Sequence, residues 1–469
     1  MSISFTRGFA ALSLLGCMIV ALGWTLTATS DALASGREAP PGELAELTVL
    51  APSPNLPSGA QVQDQSTFAM GTMQWNVVFV EGDGSIQPQQ ESWTAAEIAN
   101  IQNKIAVSEA HWEGLTAGFH PNARLNINVN YVNGGVPVTT GYEPSTDQSE
   151  VWINEVMGKI GPYTAPSRYT NVRNFNHAER VAANTNWATT IFVLDNTSAY
   201  LTSYAYAYYG GPFTILENDS AGWTPANFNM VLSHEMGHIF FALDEYYASG
   251  QRNTYTGGYL NTVNGNAERD AFGNYVVPPQ PNALMLNNGN FFTGAPYPPS
   301  PWSSDMFGFR DTDADTIPDI LDTFPTLTGS DAGSNPAAGL FDFSGSIAVN
   351  DITNQNILNF NFSNSGSDMT INTIASAFYE LDGGAGVAFL PVDGIHDDYF
   401  ESLAFSIAGL SAGLHSIDVY GFNSVGNRSN LLQFTINVTG AAIIPEPSAV
   451  LVWSLLAALG IVCGWRRKR

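Results

Sequence analysis

Two histidines four residues apart, His234 and His238, place the strongest constraint on how this chain can fold. Residues with this spacing lie on one face of an α-helix, so both imidazoles can bind the same Zn²⁺. Glu235, beside the first histidine, can then contact the attacking water. Phe228 and Leu232 precede the motif and predict an apolar face for this helix. A chance pair of surface histidines is the alternative, which is disfavoured because the chain has only 7 histidines.

A catalytic zinc needs a third protein ligand, because three ligands and one open position for water are typical of such sites. Asp244 follows His238 by six residues and is the predicted third ligand. Glu245 is the alternative, since either carboxylate would suit zinc, and a distant residue is a further one. An ordinary acidic helix end is the interpretation without metal, although the helix dipole opposes acids at that end.

The spacing of these residues resembles that of metzincin peptidases, whose third ligand is His or Asp at this position. The segment up to Tyr246 is also similar to the Leu-Ala-Asp-Glu-Tyr sequence of IgA-peptidase-type zinc peptidases. The resemblance implies a metzincin-like zinc peptidase domain of α+β or α/β type over residues 74–305, with Met285 in a methionine turn beneath the zinc. It also implies that an extended substrate lies along residues 204–216. Phe241 stands where metzincins have a glycine that turns the chain.

The function that follows from this site is peptide-bond hydrolysis by a zinc-activated water. Zinc polarises the scissile carbonyl, and Glu235 acts as the general base that later protonates the leaving amine. We therefore expect a secreted or surface-displayed endopeptidase that acts on extracellular proteins. The alternative is a non-catalytic calcium-binding surface or matrix adhesion protein with a degenerate zinc site, against which the intact Glu235 argues.

A twelve-residue acidic loop lies within a predicted linker over residues 306–335. Its acids stand at positions 1, 3, 5, 9 and 12, with the carbonyl of Ile317 at position 7, a spacing that directs oxygen ligands towards Ca²⁺. These acids are Asp311, Asp313, Asp315, Asp319 and Asp322. The loop resembles a thrombospondin type 3 calcium repeat, although Thr316 replaces the usual glycine at position 6. The alternative is a solvated acidic linker.

The composition changes in residues 336–440, which contain few Lys or Arg and many Asn, Ser and Gly. Short runs in which apolar and polar residues alternate predict an all-β sandwich here. Residues 409–427 look like the closing strands of bacterial immunoglobulin-like surface domains. Extracellular matrix or polysaccharide is therefore a possible partner of this part of the chain.

Both ends of the chain are typical of targeting segments. Residues 1–34 combine Arg7, an apolar run and Ala32-Leu33-Ala34, which predicts a secretory signal peptide followed by a linker or short pro-segment over residues 35–73. Residues 444–469 combine Pro445-Glu446-Pro447, an apolar stretch and a terminal basic cluster. This order resembles the PEP-CTERM sorting signal of Gram-negative bacteria. It implies an exosortase-type partner, a transient membrane anchor, and then a position at the cell surface or outside the cell.

Charge and cysteine content exclude several other functions. A net charge of −26 repels phosphate backbones, so nucleic-acid binding is excluded as a main function. The only cysteines, Cys17 and Cys463, lie in the apolar terminal segments. Disulfides, thiolate zinc sites and cysteine catalysis are therefore not expected in the folded part.

Overall fold

The computed structural model describes residues 36–37, 56–88, 92–146, 149–195, 204–219, 225–286, 296–356 and 367–439. The chain divides into two compact units. The first is Met1–Thr323 with Asn350–Asn372, and the second is Phe324–Val349 with Thr373–Arg469. The predicted signal peptide and sorting signal lie outside the described residues, as does most of the predicted linker before residue 56. The sorting motif and its exosortase partner therefore stay predictions.

A seven-stranded sheet organises the described part of the first unit. Its strands follow the order β1-β6-β7-β5-β2-β3, with β4 also paired to β2. Only the β6–β7 pair is antiparallel among these pairs. Every residue of β5 is buried, as expected for a parallel strand that is covered on both faces. The strands are β1 (Gly36–Arg37), β2 (Gly71–Gly82), β3 (Leu125–Tyr131), β4 (Val138–Thr140), β5 (Trp187–Leu194), β6 (Ala205–Tyr208) and β7 (Phe213–Glu217).

The helices of this unit are α1 (Ala95–Leu115), α2 (Ser149–Ile160), α3 (Arg168–Ala183), α4 (Phe228–Ile239) and α5 (Pro301–Met306). Thr94 and Glu97 form a capping box that fixes the start of α1. α1 packs against α4, where the hydroxyls of Ser108 and Ser233 lie 2.7 Å apart in a buried hydrogen bond. α2 and α3 cover one face of the sheet through a core that includes Trp152 and Phe192. The unit is therefore a mixed α/β structure.

Short elements connect the larger ones. Two small hairpins follow α4, formed by β8 (Thr256–Gly257) with β9 (Thr262–Val263) and by β10 (Glu268–Arg269) with β11 (Tyr275–Val277). Single 3₁₀ turns occur at Pro121–Ala123, Val132–Gly135, Pro225–Asn227, Tyr247–Ser249 and Pro336–Ala338. The turn at Pro225–Asn227 leads directly into α4, which carries the histidine motif.

The second unit is formed by two antiparallel sheets, with the orders β12-β13-β16 and β15-β14-β17-β18. Inward-facing residues of both sheets, among them Phe343, Leu403 and Ile417, form one buried core. An α/β part followed by an all-β part is confirmed at this level of detail. The strands are β12 (Thr326–Asp331), β13 (Phe341–Ala348), β14 (Ile374–Leu381), β15 (Val387–Phe389), β16 (Phe400–Ile407), β17 (Gly413–Asn423) and β18 (Leu432–Val438).

The prediction of a membrane-anchored chain is contradicted. Within the residues that the structure describes, no helix is long and apolar enough to cross a membrane. A span needs about 20 mostly apolar residues, whereas the longest described helix, α1, contains Glu97, Lys104, Glu109 and Glu113. The predicted anchor, residues 449–465, lies outside the described part, and we do not retain the localisation that depended on it.

Candidate metal centre

The histidine motif lies on α4, as its spacing predicts. His234, Glu235 and His238 are all fully buried. One helical turn separates the two histidines, and their ring centroids are 4.9 Å apart. The two imidazoles therefore share one buried side of the helix.

Backbone carbonyls fix the orientation of both imidazole rings. Nδ1 of His234 lies 2.9 Å from the carbonyl oxygen of Leu284, and Nδ1 of His238 lies 2.8 Å from that of Ala242. A carbonyl oxygen only accepts hydrogen bonds, so each Nδ1 carries the proton and donates it. Both Nε2 atoms are thereby left with a lone pair, the state in which imidazole binds a metal.

Asp244 completes a group of three possible metal ligands. Its Oδ1 lies 3.1 Å from Nε2 of His234 and 3.4 Å from Nε2 of His238. The three ligand atoms lie within 4.8 Å of one another, and all three side chains are buried. Nε2 of His238 and Oδ1 of Asp244 have no hydrogen-bond partner within the described ranges. Two imidazole nitrogens and one carboxylate oxygen are a donor set that fits Zn²⁺.

Gln251 and Asn264 hold Asp244 in this position. The Asp244 backbone N–H donates to Oε1 of Gln251 over 2.6 Å, and Nε2 of Gln251 donates to Oδ2 of Asp244 over 2.9 Å. Nδ2 of Asn264 donates to the Asp244 carbonyl over 2.7 Å. Oδ2 is thus occupied by Gln251, while Oδ1 faces the histidines.

Phe241 makes the turn that brings Asp244 back to α4. Its φ is 63°, in the left-handed region that favours glycine. The ring of Phe241 is buried against Gly210, where an added Cβ would lie 2.1 Å from the ring's Cζ. The Phe241 carbonyl accepts a hydrogen bond from the Gly258 N–H over 3.2 Å. Packing on both sides therefore holds a conformation that phenylalanine alone disfavours.

Met285 packs directly against the histidine helix and is fully buried. A Cβ added to Gly237 would lie 2.3 Å from the Met285 sulfur, so the two residues fit only because position 237 has no side chain. The neighbouring Leu284 provides the carbonyl that orients His234. Sequence analysis missed the role of Gly237, although a glycine inside an apolar helix was the available signal.

Glu245, the alternative third ligand, is not part of the histidine group. Its backbone N–H donates to the Met285 carbonyl over 2.8 Å, and its Oε1 accepts a hydrogen bond from the Ser300 hydroxyl. Burial raises the pKa of Glu245 to about 7, against the opposing effect of hydrogen bonds from Ser300 and Ser303. Glu245 therefore links the backbone at Met285 to Ser300, the N-cap residue of α5.

The acidic loop brings together only part of the predicted calcium ligands. The carboxylates of Asp311, Asp313 and Asp315 can place one oxygen each within 4.8 Å of the others. Asp319 instead accepts hydrogen bonds from the Thr312 N–H and hydroxyl, over 2.8 and 2.6 Å. Neither Asp319 nor Asp322 belongs to the converging group, and Ile317 donates its N–H to Asp315 over 2.8 Å.

The end of strand β6 borders the histidine group. The ring of Tyr209, which follows β6, lies 5.5 Å from the ring of His238, measured between centroids. The Gly210 N–H donates to the His238 carbonyl over 3.2 Å. One edge of the sheet therefore leads directly to the candidate metal centre.

Comparisons with known proteins give limited information. No protein-family model matches this sequence, and no curated protein matches it. Among solved structures, wild-type OgpA from Akkermansia muciniphila is 11% identical over 86% of this chain and 97% of its own, with a TM-score of 0.26. A catalytically inactive OgpA in complex with an O-glycopeptide has 10% identity, coverages of 85% and 97%, and the same TM-score of 0.26. The PKD domain of an M14-like peptidase from a Thermoplasmatales archaeon is 11% identical over 25% of this chain and 97% of its own, with a TM-score of 0.16. TM-scores this low carry no argument about this chain.

Proposed function

We propose that this chain is a zinc-dependent endopeptidase that hydrolyses peptide bonds in protein or peptide substrates. The observation that supports the proposal is the convergence of two buried imidazole Nε2 atoms and Oδ1 of Asp244 beside Glu235. His234, His238 and Asp244 would hold the ion. When bound, zinc supplies a Lewis acid that lowers the pKa of water towards neutrality and polarises the substrate carbonyl.

Glu235 would move the protons in this reaction. It lies next to His234 in the sequence, on the same helix, and its side chain is fully buried. It accepts a proton from the attacking water and then passes it to the departing amine nitrogen. Glu235 is therefore required for turnover but not for metal binding.

Replacement of Glu235 by its uncharged isostere tests this mechanism. In the full chain we expect about one zinc per molecule in both the parent and Glu235→Gln, because the three proposed ligands are intact. Casein hydrolysis should fall by about 10²–10⁴-fold in Glu235→Gln, the usual contribution of a general base. Glu97→Gln, in the capping box of α1, is the matched control and should retain activity, because glutamine can form the same box.

The metal content separates the possible results. Absence of stoichiometric zinc from the parent would contradict the proposal at its first step. Full zinc loading without cleavage of casein or gelatin would favour the non-catalytic surface-protein alternative. His238→Ala should lose both zinc and activity, because it removes a proposed ligand.

We also propose that Asp311, Asp313 and Asp315 bind a structural Ca²⁺. Their carboxylates converge, and the chain turns at Ala314, between Asp313 and Asp315, and at Thr316, after Asp315, where φ is 61° and 79°. Calcium should raise the thermal midpoint of the parent, and magnesium should not. The double substitution Asp313→Asn with Asp315→Asn should abolish this shift, while Asp331→Asn should leave it unchanged. Equal calcium-induced shifts in all three proteins would contradict the site.

A further inference from the structure

A cavity of about 390 Å³ lies where the outermost strand β3 ends. It is lined by the end of β3 and the turn that follows, by the last turn of α2 with the residues after it, and by one side of α3. Its volume lies within the range of about 300–1,000 Å³ that is typical of small-molecule sites. The described residues that line it include none of the proposed zinc or calcium ligands. The functions proposed above therefore leave this cavity without a role.

Glu179, on α3, is the one charged side chain among the described residues that line the cavity. Its Oε2 accepts a hydrogen bond from Nδ2 of Asn130 over 3.1 Å, and the same Nδ2 donates to Oδ1 of Asn76 over 3.1 Å. Oε1 of Glu179 and Oδ1 of Asn130 accept no hydrogen bond from the described residues. Burial raises the pKa of Glu179, and no neighbouring cation in the described part of the chain opposes this effect. The cavity therefore offers two unused acceptor oxygens, one of them on a partly desolvated carboxylate.

The carboxyl-terminal end of α2 also borders the cavity, because Ile160, Gly161 and Pro162 are among the lining residues. Pro162 has no N–H, so the Gly158 carbonyl lacks the partner that a further helical residue would provide. Carbonyl groups at this end carry the negative pole of the helix dipole, which favours a nearby cation. The helix end and Glu179 therefore give the cavity a negative potential.

Two aromatic rings form a wall beside this carboxylate. The rings of Tyr163 and Phe175 meet edge to face, with centroids 5.5 Å apart and an interplanar angle of 72°. A Cβ added to Gly161 would lie 2.8 Å from Cε2 of Tyr163, so the tyrosine ring rests directly on this glycine. Burial and the nearby Glu179 carboxylate raise the pKa of Tyr163. Aromatic faces attract organic cations, so the wall and the carboxylate favour the same kind of ligand.

Lys159, which lines an adjoining cavity, does not neutralise Glu179. Its Nζ lies 2.7 Å from Oε1 of Glu155 and donates to the Thr139 carbonyl over 2.9 Å. The pKa of Glu179 is shifted by burial alone, with no contribution from Lys159. Within the described residues, the cation that the cavity favours is therefore not supplied by the chain itself.

We propose that this cavity binds a primary alkylammonium group, of the kind carried by a lysine side chain or a small free amine. The three N–H donors of such a group match Oε1 of Glu179, Oδ1 of Asn130 and a carbonyl at the end of α2. The rings of Tyr163 and Phe175 then contact the adjoining methylene groups. The site is separate from the proposed metal ligands and does not depend on the proposed peptidase activity.

Isothermal titration calorimetry of the full chain with n-butylammonium chloride tests the proposal. Titrations at about 0.15 M ionic strength screen attraction to distant surface charges. Glu179→Gln removes the charge, but its amide oxygen can still accept the hydrogen bond from Asn130. We expect it to weaken binding at least about tenfold, the usual effect of losing a charge-assisted hydrogen bond. Equal affinities of the parent and Glu179→Gln would overturn the proposal.

Glu150→Gln is the matched control. It removes the same charge from the first turn of α2, where the side chain is 70% exposed. Ten residues of helix separate it from Ile160, a distance of about 15 Å. This variant should bind n-butylammonium as the parent does, and an equal loss in both variants would count as attraction to net charge and against the site.

The parent protein provides a test that needs no substitution, in case Glu179→Gln does not fold. Tetramethylammonium has the same charge but no N–H group, and n-butanol has the same chain without the charge. Both should bind at least about tenfold more weakly than n-butylammonium. Equal affinity for the two cations would overturn the proposal. Tyr163→Leu should weaken n-butylammonium binding about 3–10-fold through loss of the ring.

Nα-acetyl-lysine amide distinguishes the two sources of the ammonium group. Binding of this compound as well as n-butylammonium would identify lysine side chains as ligands, and binding of n-butylammonium alone would identify a free amine. Either result supports an ammonium site, whereas no saturable binding of either compound would overturn it. The chain treated with a chelator should give the same affinities, so failure of the peptidase proposal would leave this result unchanged.

Discussion

The left-handed conformation of Phe241 leads to a prediction with an unusual sign. A residue with a Cβ loses about 1–2 kcal/mol in this conformation, whereas glycine adopts it freely. Phe241→Gly and Phe241→Ala both remove the same buried ring, at a cost of about 3–5 kcal/mol. The glycine variant also relieves the backbone strain, but its unfolded chain gains entropy worth about 0.5–1 kcal/mol. We expect Phe241→Gly to be more stable than Phe241→Ala by about 1 kcal/mol.

Urea unfolding of the metal-free full chain measures this difference. Tryptophan fluorescence reports on the first unit, because every tryptophan in the described residues lies there. Phe240 is the matched control, since it is equally buried but has a φ of −94°. At position 240, alanine should be more stable than glycine by about 0.5–1 kcal/mol. The same order at both positions would refute the argument that strain at Phe241 is stored in the turn.

Two further predictions concern residues around the proposed metal ligands, and a third concerns His111 on α1. Gln251→Ala should weaken zinc binding about 10–100-fold, because it releases Asp244. Competition with a chelator measures this affinity, and an unchanged value would contradict the role of Gln251 in positioning Asp244. Gly237→Ala should destabilise the chain by about 1–3 kcal/mol, because the added methyl group clashes with Met285. The loss should be smaller in a Met285→Ala background. If the two losses are additive in a double-mutant cycle, the contact between positions 237 and 285 is not the cause. Burial lowers the pKa of His111 to about 4, so the unfolded state binds its proton first and the metal-free chain loses stability as the pH falls from 6.5 to 4. His111→Gln should flatten the unfolding free energy over that range by at most about 3 kcal/mol, and an unchanged slope would be inconsistent with this cause.

The local features of the site could be predicted from the sequence because they depend on periodicity. Four-residue spacing on a helix brings His234 and His238 to one face, whatever surrounds them. The position of Asp244 also depends on a reversal of the chain after the helix, and the sequence has no glycine at that turn to indicate it. The conformation of Phe241 arises from its packing against Gly210 and its hydrogen bond to Gly258, neither of which local pattern specifies.

The residues that orient the ligands could not be predicted, because they come from separate parts of the chain. Leu284 reaches His234 across 50 positions, and Asn264 reaches Asp244 across 20. The acidic loop illustrates the opposite problem. Its regular spacing predicted one group of five acids, but Asp319 accepts hydrogen bonds from the Thr312 hydroxyl and N–H and lies outside the group of Asp311, Asp313 and Asp315.

The contacts around Phe241 also connect the proposed metal ligands to the end of strand β6. The Phe241 ring packs on Gly210, and the Gly210 N–H bonds to the carbonyl of His238. Gly210 follows β6 by two residues. A shift of the end of that strand would therefore alter its contacts with the end of α4 and with the turn before Asp244 at the same time. The end of β6 and the proposed metal ligands therefore form one packed region, in which the positions of His238 and Asp244 depend on the same few residues.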